Sequence, residues 1–211
     1  MSVASEEFIG AFGAPDPATP AGLQLADSGT RSMWARLHPK IGAGWFRNGF
    51  LYLFGEGVDH LQTCLDARSF VVPPGKQRAI LGRNAYGAIL VLENEGDPDA
   101  ERGYLLDPFM VAYTEIPRTR FVNIIARALP QNETGLFLDD GAYTDWREEN
   151  AVDRIGVNDV LGIKVPRGLG GKLEASNLQL DDIENYYRTT APIYADAFAP
   201  LATVASARPR C

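Results

Sequence analysis

The stretch Asn48-Gly49-Phe50-Leu51-Tyr52-Leu53-Phe54 begins the part of the sequence that decides the fold. It is a continuous apolar run that ends before Gly55, which is typical of a buried strand. Runs of the same kind follow one another closely along the chain. They predict four or five sequential strands with short connections, and therefore an antiparallel meander. The predicted strands cover residues 49–54, 77–81, 86–92, 103–106 and 109–114.

Apolar residues at helical spacing lie before, between and after these strands. In the first half of the chain, the spacing predicts helices over 6–12, 30–38 and 58–65, and Pro39 is expected to end the second of them. Residues 13–20 carry three prolines and read as an extended connector, and 42–45 read as a glycine-rich bend.

Beyond residue 115 the pattern becomes mainly helical. The spacing predicts helices over 120–129, 139–150 and 180–201. Pro192 is expected to kink or divide the last helix, and Asp181, Asp182 and Glu184 are expected at its start, where the helix dipole favours anions.

These patterns predict an α+β fold. The first half is expected to be rich in an antiparallel β-meander that packs with helices. The second half is expected to be mostly helical and to form one fused unit with the first. The expected organisation is an N-terminal extension over 1–29, a β-rich subdomain over 30–116, a helical subdomain over 117–204 and a disordered tail over 205–211.

Composition excludes several classes of protein. The chain has 211 residues, is 45% hydrophobic and carries a net charge of −7, which disfavours direct nucleic-acid binding because that needs a basic face. No apolar run approaches the roughly 20 residues of a membrane span, and residues 1–12 do not resemble a secretory signal. Cys64 and Cys211 are the only cysteines, which predicts a cytoplasmic protein without a disulfide framework.

Several blocks, in this order and spacing, resemble the GAD-like immunity proteins that bacteria encode beside type VI secretion effectors, notably DNase toxins. The resemblance spans most of residues 30–200. In the first half it lies in Trp45, Gly49-Phe50-Leu51-Tyr52-Leu53 and Arg83-Asn84-Ala85-Tyr86-Gly87, and in the second half it lies in Leu161-Gly162-Ile163-Lys164-Val165-Pro166, Leu169-Gly170-Gly171, Ser176-Asn177-Leu178 and the final helix.

The resemblance implies a function. It implies an immunity protein that binds a type VI secretion toxin, most often a DNase, and neutralises it to protect the producing cell. It also implies that residues 83–87 open a strand hairpin. The final helix of the family usually runs unbroken, whereas Pro192 stands in it here.

No residue pattern indicates catalysis. His38 and His60 are the only histidines and have no metal-ligand spacing, and no Gly-x-Ser-x-Gly elbow is present. The segment Gly168-Leu169-Gly170-Gly171-Lys172 invites a phosphate-loop interpretation, but Leu173 stands where the motif needs Ser or Thr, so a tight turn is favoured. The sequence thus predicts no enzymatic activity, no catalytic residue, no metal site and no cofactor.

Carboxylates concentrate in three stretches, 93–101, 133–149 and 174–184. Such runs usually lie on a solvated surface, but an acidic surface would also complement the positive groove of a nuclease. The densest stretch contains Trp146, which could be an interface anchor or a core residue. The predicted partner-binding residues are Asp139, Asp140, Asp145, Trp146, Glu148 and Glu149.

Two other functions remain open at the level of sequence. One is a small-ligand-binding or regulatory module without catalysis, whose pocket would be formed by the meander and the Gly168 loop. The other is a hydrolase whose paired carboxylates hold Mg²⁺.

Overall fold

A computed structural model describes residues 3–20, 28–74, 77–94 and 101–206. Its main sheet has seven antiparallel strands that lie side by side in sequence order, so the predicted meander and the α+β class are confirmed. The strands are β1 (Asp16–Pro17), β2 (Gly44–Phe46), β3 (Leu51–Leu53), β4 (Gln77–Asn84), β5 (Ile89–Asn94), β6 (Arg102–Asp107) and β7 (Ala112–Thr119).

Strand β2 lies where the sequence predicted a bend. Gly44 pairs with Leu53 of β3, and Trp45 pairs with Tyr52. The next pairing, β3 with β4, brings the backbones so close that a β-carbon on Gly82 would collide with the Tyr52 carbonyl oxygen. The glycines therefore allow close strand approach here as well as turns.

The described part of the first half contains the helices α1 (Val3–Phe12), α2 (Ser28–Ile41) and α3 (Leu61–Ala67). The prediction that Pro39 ends α2 is wrong, because the helix continues through it to Ile41. Proline removes one backbone donor, and so near the end of a helix it costs only one hydrogen bond. The fully buried Ile41 side chain helps to hold the last turn in place.

The second half corrects three predictions. Residues 120–129 form a single turn, α4 (Phe121–Asn123), followed by a π-helix over Ile124–Ala128 rather than one α-helix. Helix α5 (Gly141–Asn150) lies as predicted. The strands β8 (Asp159–Ile163) and β9 (Leu178–Asp182) pair antiparallel, so the last helix, α6 (Ile183–Ser206), begins after the predicted residue 180. Pro192 does not divide α6, which is continuous through it.

One hydrophobic core joins the two halves. Helix α1 contributes the fully buried Phe8, whose ring packs edge-on against Phe46 at 5.4 Å. Burial of such a side chain stabilises the fold by about 1.5–3 kcal/mol. The predicted extension over 1–29 therefore supplies core residues, and the predicted boundary at 116/117 falls inside β7. Within the tail predicted over 205–211, residues 207–211, including Cys211, lie outside the described residues.

Candidate functional site: an acidic helix face and an arginine cavity

The turn Arg83-Asn84-Ala85-Tyr86-Gly87 joins the sheet to the second half. Arg83 is fully buried and donates from Nη2 to the carbonyls of Gly156 (2.9 Å) and Val157 (2.7 Å). Burial lowers the pKa of Arg83 to about 10, opposed by the negative charge of Asp159, so the group keeps its charge at neutral pH. Through these hydrogen bonds, Arg83 connects strand β4 to the loop before β8.

The same turn positions α5. Asn84 Oδ1 accepts hydrogen bonds from the backbone N–H groups of Tyr86 (3.1 Å) and Ala88 (2.9 Å), which fixes the turn. The Tyr86 hydroxyl then accepts a hydrogen bond from the Tyr143 backbone N–H at 2.9 Å. Burial raises the pKa of Tyr86. A neutral, buried hydroxyl therefore holds the first turn of α5 against the sheet.

Helix α5 has a buried side and a charged side. Ala142, Tyr143 and Trp146 are buried, and Trp146 is only 7% exposed. The burial of Trp146 therefore agrees with its interpretation as a core residue. Its indole offers little surface to a partner. The partner-binding role assigned to Trp146 stays a prediction.

The acidic face of α5, defined here as Asp145, Glu148 and Glu149, lies on the other side of the helix. Glu148 and Glu149 lie three and four residues after Asp145, so each neighbours Asp145 on the helix surface. All three are exposed, and none forms a hydrogen bond or ion pair with any residue that the structure describes. These carboxylates therefore face solvent and are accessible to a partner.

Asp139 and Asp140 are engaged within the fold. Asp140 Oδ2 lies 2.9 Å from Arg47 Nη2, in a pair whose side chains are about one-third exposed. Asp139 Oδ1 accepts a hydrogen bond from the Gly141 N–H at 3.3 Å, just before α5 begins. Of the six predicted partner-binding residues, the structure therefore brings three together on one unpaired, exposed face.

In the other two acidic stretches, several of the described carboxylates are bonded within the fold. Glu93 is buried and lies 2.9 Å from Arg78 Nε, and Glu101 is buried and accepts a hydrogen bond from the Phe121 N–H. In the third stretch, Asp182 Oδ1 accepts a hydrogen bond from the Asn185 N–H at 2.8 Å and so caps α6. Glu95, Asp97 and Asp99 lie outside the described residues.

The histidines and Cys64 occupy separate places. His38 packs beside the Trp34 ring at 5.2 Å, and His60 Nε2 is buried without a hydrogen-bond partner in the part of the chain that the structure describes. Burial raises the pKa of the Cys64 thiol to about 12. Among the described residues, no three His, Cys, Asp or Glu side chains come close enough together to hold a metal ion. No helix in those same segments is long and apolar enough to cross a membrane.

The Gly168 loop is a tight turn. Arg167–Leu169 form one 3₁₀ turn, and Gly170 has a φ of +88°. The Gly171 N–H donates to the Pro166 carbonyl at 3.1 Å and closes the turn. The tight-turn interpretation is confirmed, and the loop leaves Leu169 78% exposed.

Two concavities are built from other residues. The meander cleft, of about 310 Å³, is lined mainly by Ala88, Leu105, Ile116, Pro117, Thr134 and Phe137. The Thr134 hydroxyl is buried there and has no hydrogen-bond partner in residues 3–20, 28–74, 77–94 or 101–206. The arginine cavity, of about 620 Å³, is polar and is lined mainly by Asp16, Trp45, Arg47, Arg147, Asp153 and Arg154.

Sequence reasoning missed the arginine cavity. Arg47 comes from the β2–β3 turn, Arg147 from α5 and Arg154 from the loop after α5. No spacing rule connects these three segments, because only the tertiary fold brings them together. The sequence carries one local signal of the cavity, since Asn48-Gly49 predicts a turn beside Arg47.

Comparison with known proteins identifies a shared fold. No family model matches the chain, and no curated protein matches its sequence. The crystal structure of Atu4351 from Agrobacterium tumefaciens is similar, with a TM-score of 0.58 and 15% sequence identity over 88% of this chain and 87% of that chain. At this identity, the likeness shows the architecture alone.

Proposed function

We propose that the protein is an immunity protein that binds and neutralises a cognate type VI secretion toxin, a DNase, in the cytoplasm, and that it is not an enzyme. The toxin class comes from the resemblance of the sequence to GAD-like immunity proteins. The observation that carries the binding role is the acidic face of α5, whose three carboxylates are exposed and unpaired within the described residues.

A nuclease attracts phosphate groups, so its substrate groove carries positive potential. A cluster of carboxylates on a protein of net charge −7 complements such a groove and raises the rate of encounter. Occupation of the groove by these carboxylates would exclude DNA. Neutralisation then needs no chemical step from the immunity protein.

The helix that carries the acidic face is held rigidly. Its first turn is fixed by the Tyr86 hydroxyl, and Arg147 Nη1 donates to the Asn48 carbonyl at 2.6 Å. The Arg47–Asp140 ion pair holds the segment before the helix. A preorganised surface loses little conformational entropy on binding, which favours a tight complex.

Inhibition of the toxin tests this function. The purified protein is mixed with the product of the adjacent gene, and plasmid cleavage and co-elution are measured. The proposal requires a stoichiometric complex and loss of cleavage. Full cleavage in the presence of excess protein, without a complex, would contradict it.

A second candidate is a small-ligand-binding or regulatory module without catalysis. The meander cleft favours it, because an apolar concavity with one unpartnered hydroxyl can orient a ligand. The Gly168 loop does not line this cleft. Replacement of Thr114, an exposed residue that lines the cleft, by Trp would narrow the cleft without disturbing the core, and it should leave toxin inhibition unchanged if the cleft has no part in neutralisation.

A further inference from the structure

The arginine cavity has a positive lining in a chain whose net charge is −7. Three guanidinium groups line it, from Arg47, Arg147 and Arg154, against two carboxylates, Asp16 and Asp153. Two of these guanidinium groups are paired with carboxylates, so the positive charge available to an anion lies mainly at Arg147.

The three arginines differ in how far their charge is compensated. Arg47 pairs with Asp140 at 2.9 Å, and Arg154 Nε lies 3.2 Å from Asp16 Oδ2. Arg147 forms no ion pair with a described residue. Its Nη1 donates to the Asn48 carbonyl, while its Nε is buried and donates to no acceptor among the described residues. Arg147 is therefore the guanidinium whose charge a bound anion would compensate most.

The turn beside the cavity is held in an unfavourable conformation. Arg47, Asn48 and Gly49 have φ values of +50°, +54° and +83°, so three consecutive residues are left-handed. Asparagine and glycine adopt this region readily, so Arg47 is the unusual residue of the three. Here the Asn48 carbonyl accepts hydrogen bonds from Arg147 and from the Tyr143 hydroxyl at 3.1 Å. The strained turn keeps Arg47 and Asn48 at the wall of the cavity.

We propose that the arginine cavity binds the phosphomonoester of a small polyhydroxylated molecule. Guanidinium forks match the oxygens of a phosphate and bind it through charge-assisted hydrogen bonds. The carboxylates of Asp16 and Asp153 can accept hydrogen bonds from hydroxyl groups. A volume of about 620 Å³ suits a ligand of sugar-phosphate or mononucleotide size. This site is separate from the acidic face and does not depend on the toxin-binding proposal.

Titration calorimetry with ribose 5-phosphate tests the site, in a buffer free of phosphate and sulfate. The expected result is saturable 1:1 binding of ribose 5-phosphate, weaker binding of inorganic phosphate and no binding of ribose. Adenosine 5′-monophosphate forms a second arm: tighter binding than ribose 5-phosphate would identify a nucleotide, and equal or weaker binding would identify a sugar phosphate.

Two variants locate the binding. Arg147→Gln and Arg154→Gln should each weaken ribose 5-phosphate binding at least about tenfold, because each removes charged hydrogen bonds to the phosphate. Arg154 is the safer variant, since its side chain is 44% exposed and its loss should not disturb the fold. Arg127→Gln is the matched control, because Arg127 is exposed and lies outside the cavity.

Two results would overturn the proposal for the arginine cavity. A folded wild-type protein that binds neither ribose 5-phosphate nor adenosine 5′-monophosphate at millimolar concentration would overturn the proposal. Equal affinities of the wild type and a folded Arg154→Gln variant would overturn it as well. Toxin inhibition by Arg154→Gln is expected to remain intact, so failure of this site and failure of the toxin-binding function would be recognised independently.

Discussion

Two acidic regions of this chain have opposite surroundings. Around β5 and β6, Glu93 and Glu101 are 2% and 3% exposed and are bonded within the fold. On α5, Asp145, Glu148 and Glu149 are exposed and unpaired among the described residues. The sequence shows similar runs of carboxylates in both places. The comparison teaches that an internal partner, rather than the density of charge, decides whether an acidic run stabilises a fold or remains available for binding.

The largest expected effect comes from the buried side of α5. Replacement of Trp146 by Ala should lower the free energy of unfolding by about 4 kcal/mol, because a large buried indole is lost and a cavity remains. Urea denaturation measures this. Glu149→Ala, on the same helix, is the control and should change it by no more than about 0.5 kcal/mol. A loss below about 1 kcal/mol for Trp146→Ala would place the indole outside the core.

The next effect concerns the buried acidic region. Glu93 lies 2.9 Å from Arg78 Nε and accepts a hydrogen bond from the Tyr113 hydroxyl at 2.8 Å. Glu93→Ala leaves the Arg78 side chain, which is only 8% exposed, without this partner, and the free energy of unfolding should fall by about 3 kcal/mol. Denaturation of Glu148→Ala provides the comparison from the acidic face. Equal losses of unfolding free energy for Glu93→Ala and Glu148→Ala would contradict the distinction between the buried acidic region and the acidic face.

Alkaline pH should act on the buried groups rather than on the acidic face. Burial raises the pKa of Cys64 to about 12, so the folded state keeps a proton that the unfolded state loses from about pH 9. Stability is therefore fully present below pH 9 and falls as the pH rises towards 12, by about 1.4 kcal/mol per pH unit for this group. Cys64→Ala should show a shallower decline between pH 9 and 10.5 in urea denaturation. Parallel curves for the variant and the wild type would contradict the assigned cause.

The smallest effect on stability belongs to the acidic face. Changing Asp145, Glu148 and Glu149 together to Lys should alter the free energy of unfolding by no more than about 0.5 kcal/mol for each residue, because the side chains are exposed and unpaired. Circular dichroism and urea denaturation check this. Global unfolding of the variant would show that the face has an internal structural role.

Local sequence patterns predicted the strands well where apolar runs are long. Residues 86–92 and 103–106 read as strands because glycine, asparagine and proline bound them, and β5 and β6 lie there. Strand β2 was missed because Gly44 resembles part of a bend, whereas its pairing with Leu53 depends on a distant segment. Strand β9 was missed because its leucines merge with the pattern of the following helix.

The candidate sites were predicted less completely, for a physical reason. The sequence identified the carboxylates of α5, and helical spacing alone places Asp145, Glu148 and Glu149 together. It could not show that Asp140 pairs with Arg47, because that contact joins segments far apart in the chain. The arginine cavity was invisible for the same reason. Short-range spacing predicts a helix face, and only tertiary contacts reveal which charges are already compensated.

The association rate with the toxin tests the central claim most directly. The triple Lys variant of the acidic face and a control with Lys at the exposed Glu6, Glu7 and Asp59 have the same net charge of −1, since each replacement adds two charges to −7. By stopped-flow at low salt, the acidic-face variant should bind roughly tenfold or more slowly than the control. Added salt should shrink the difference by screening. Equal rates for the two variants would contradict the claim that the acidic face of α5 binds the toxin.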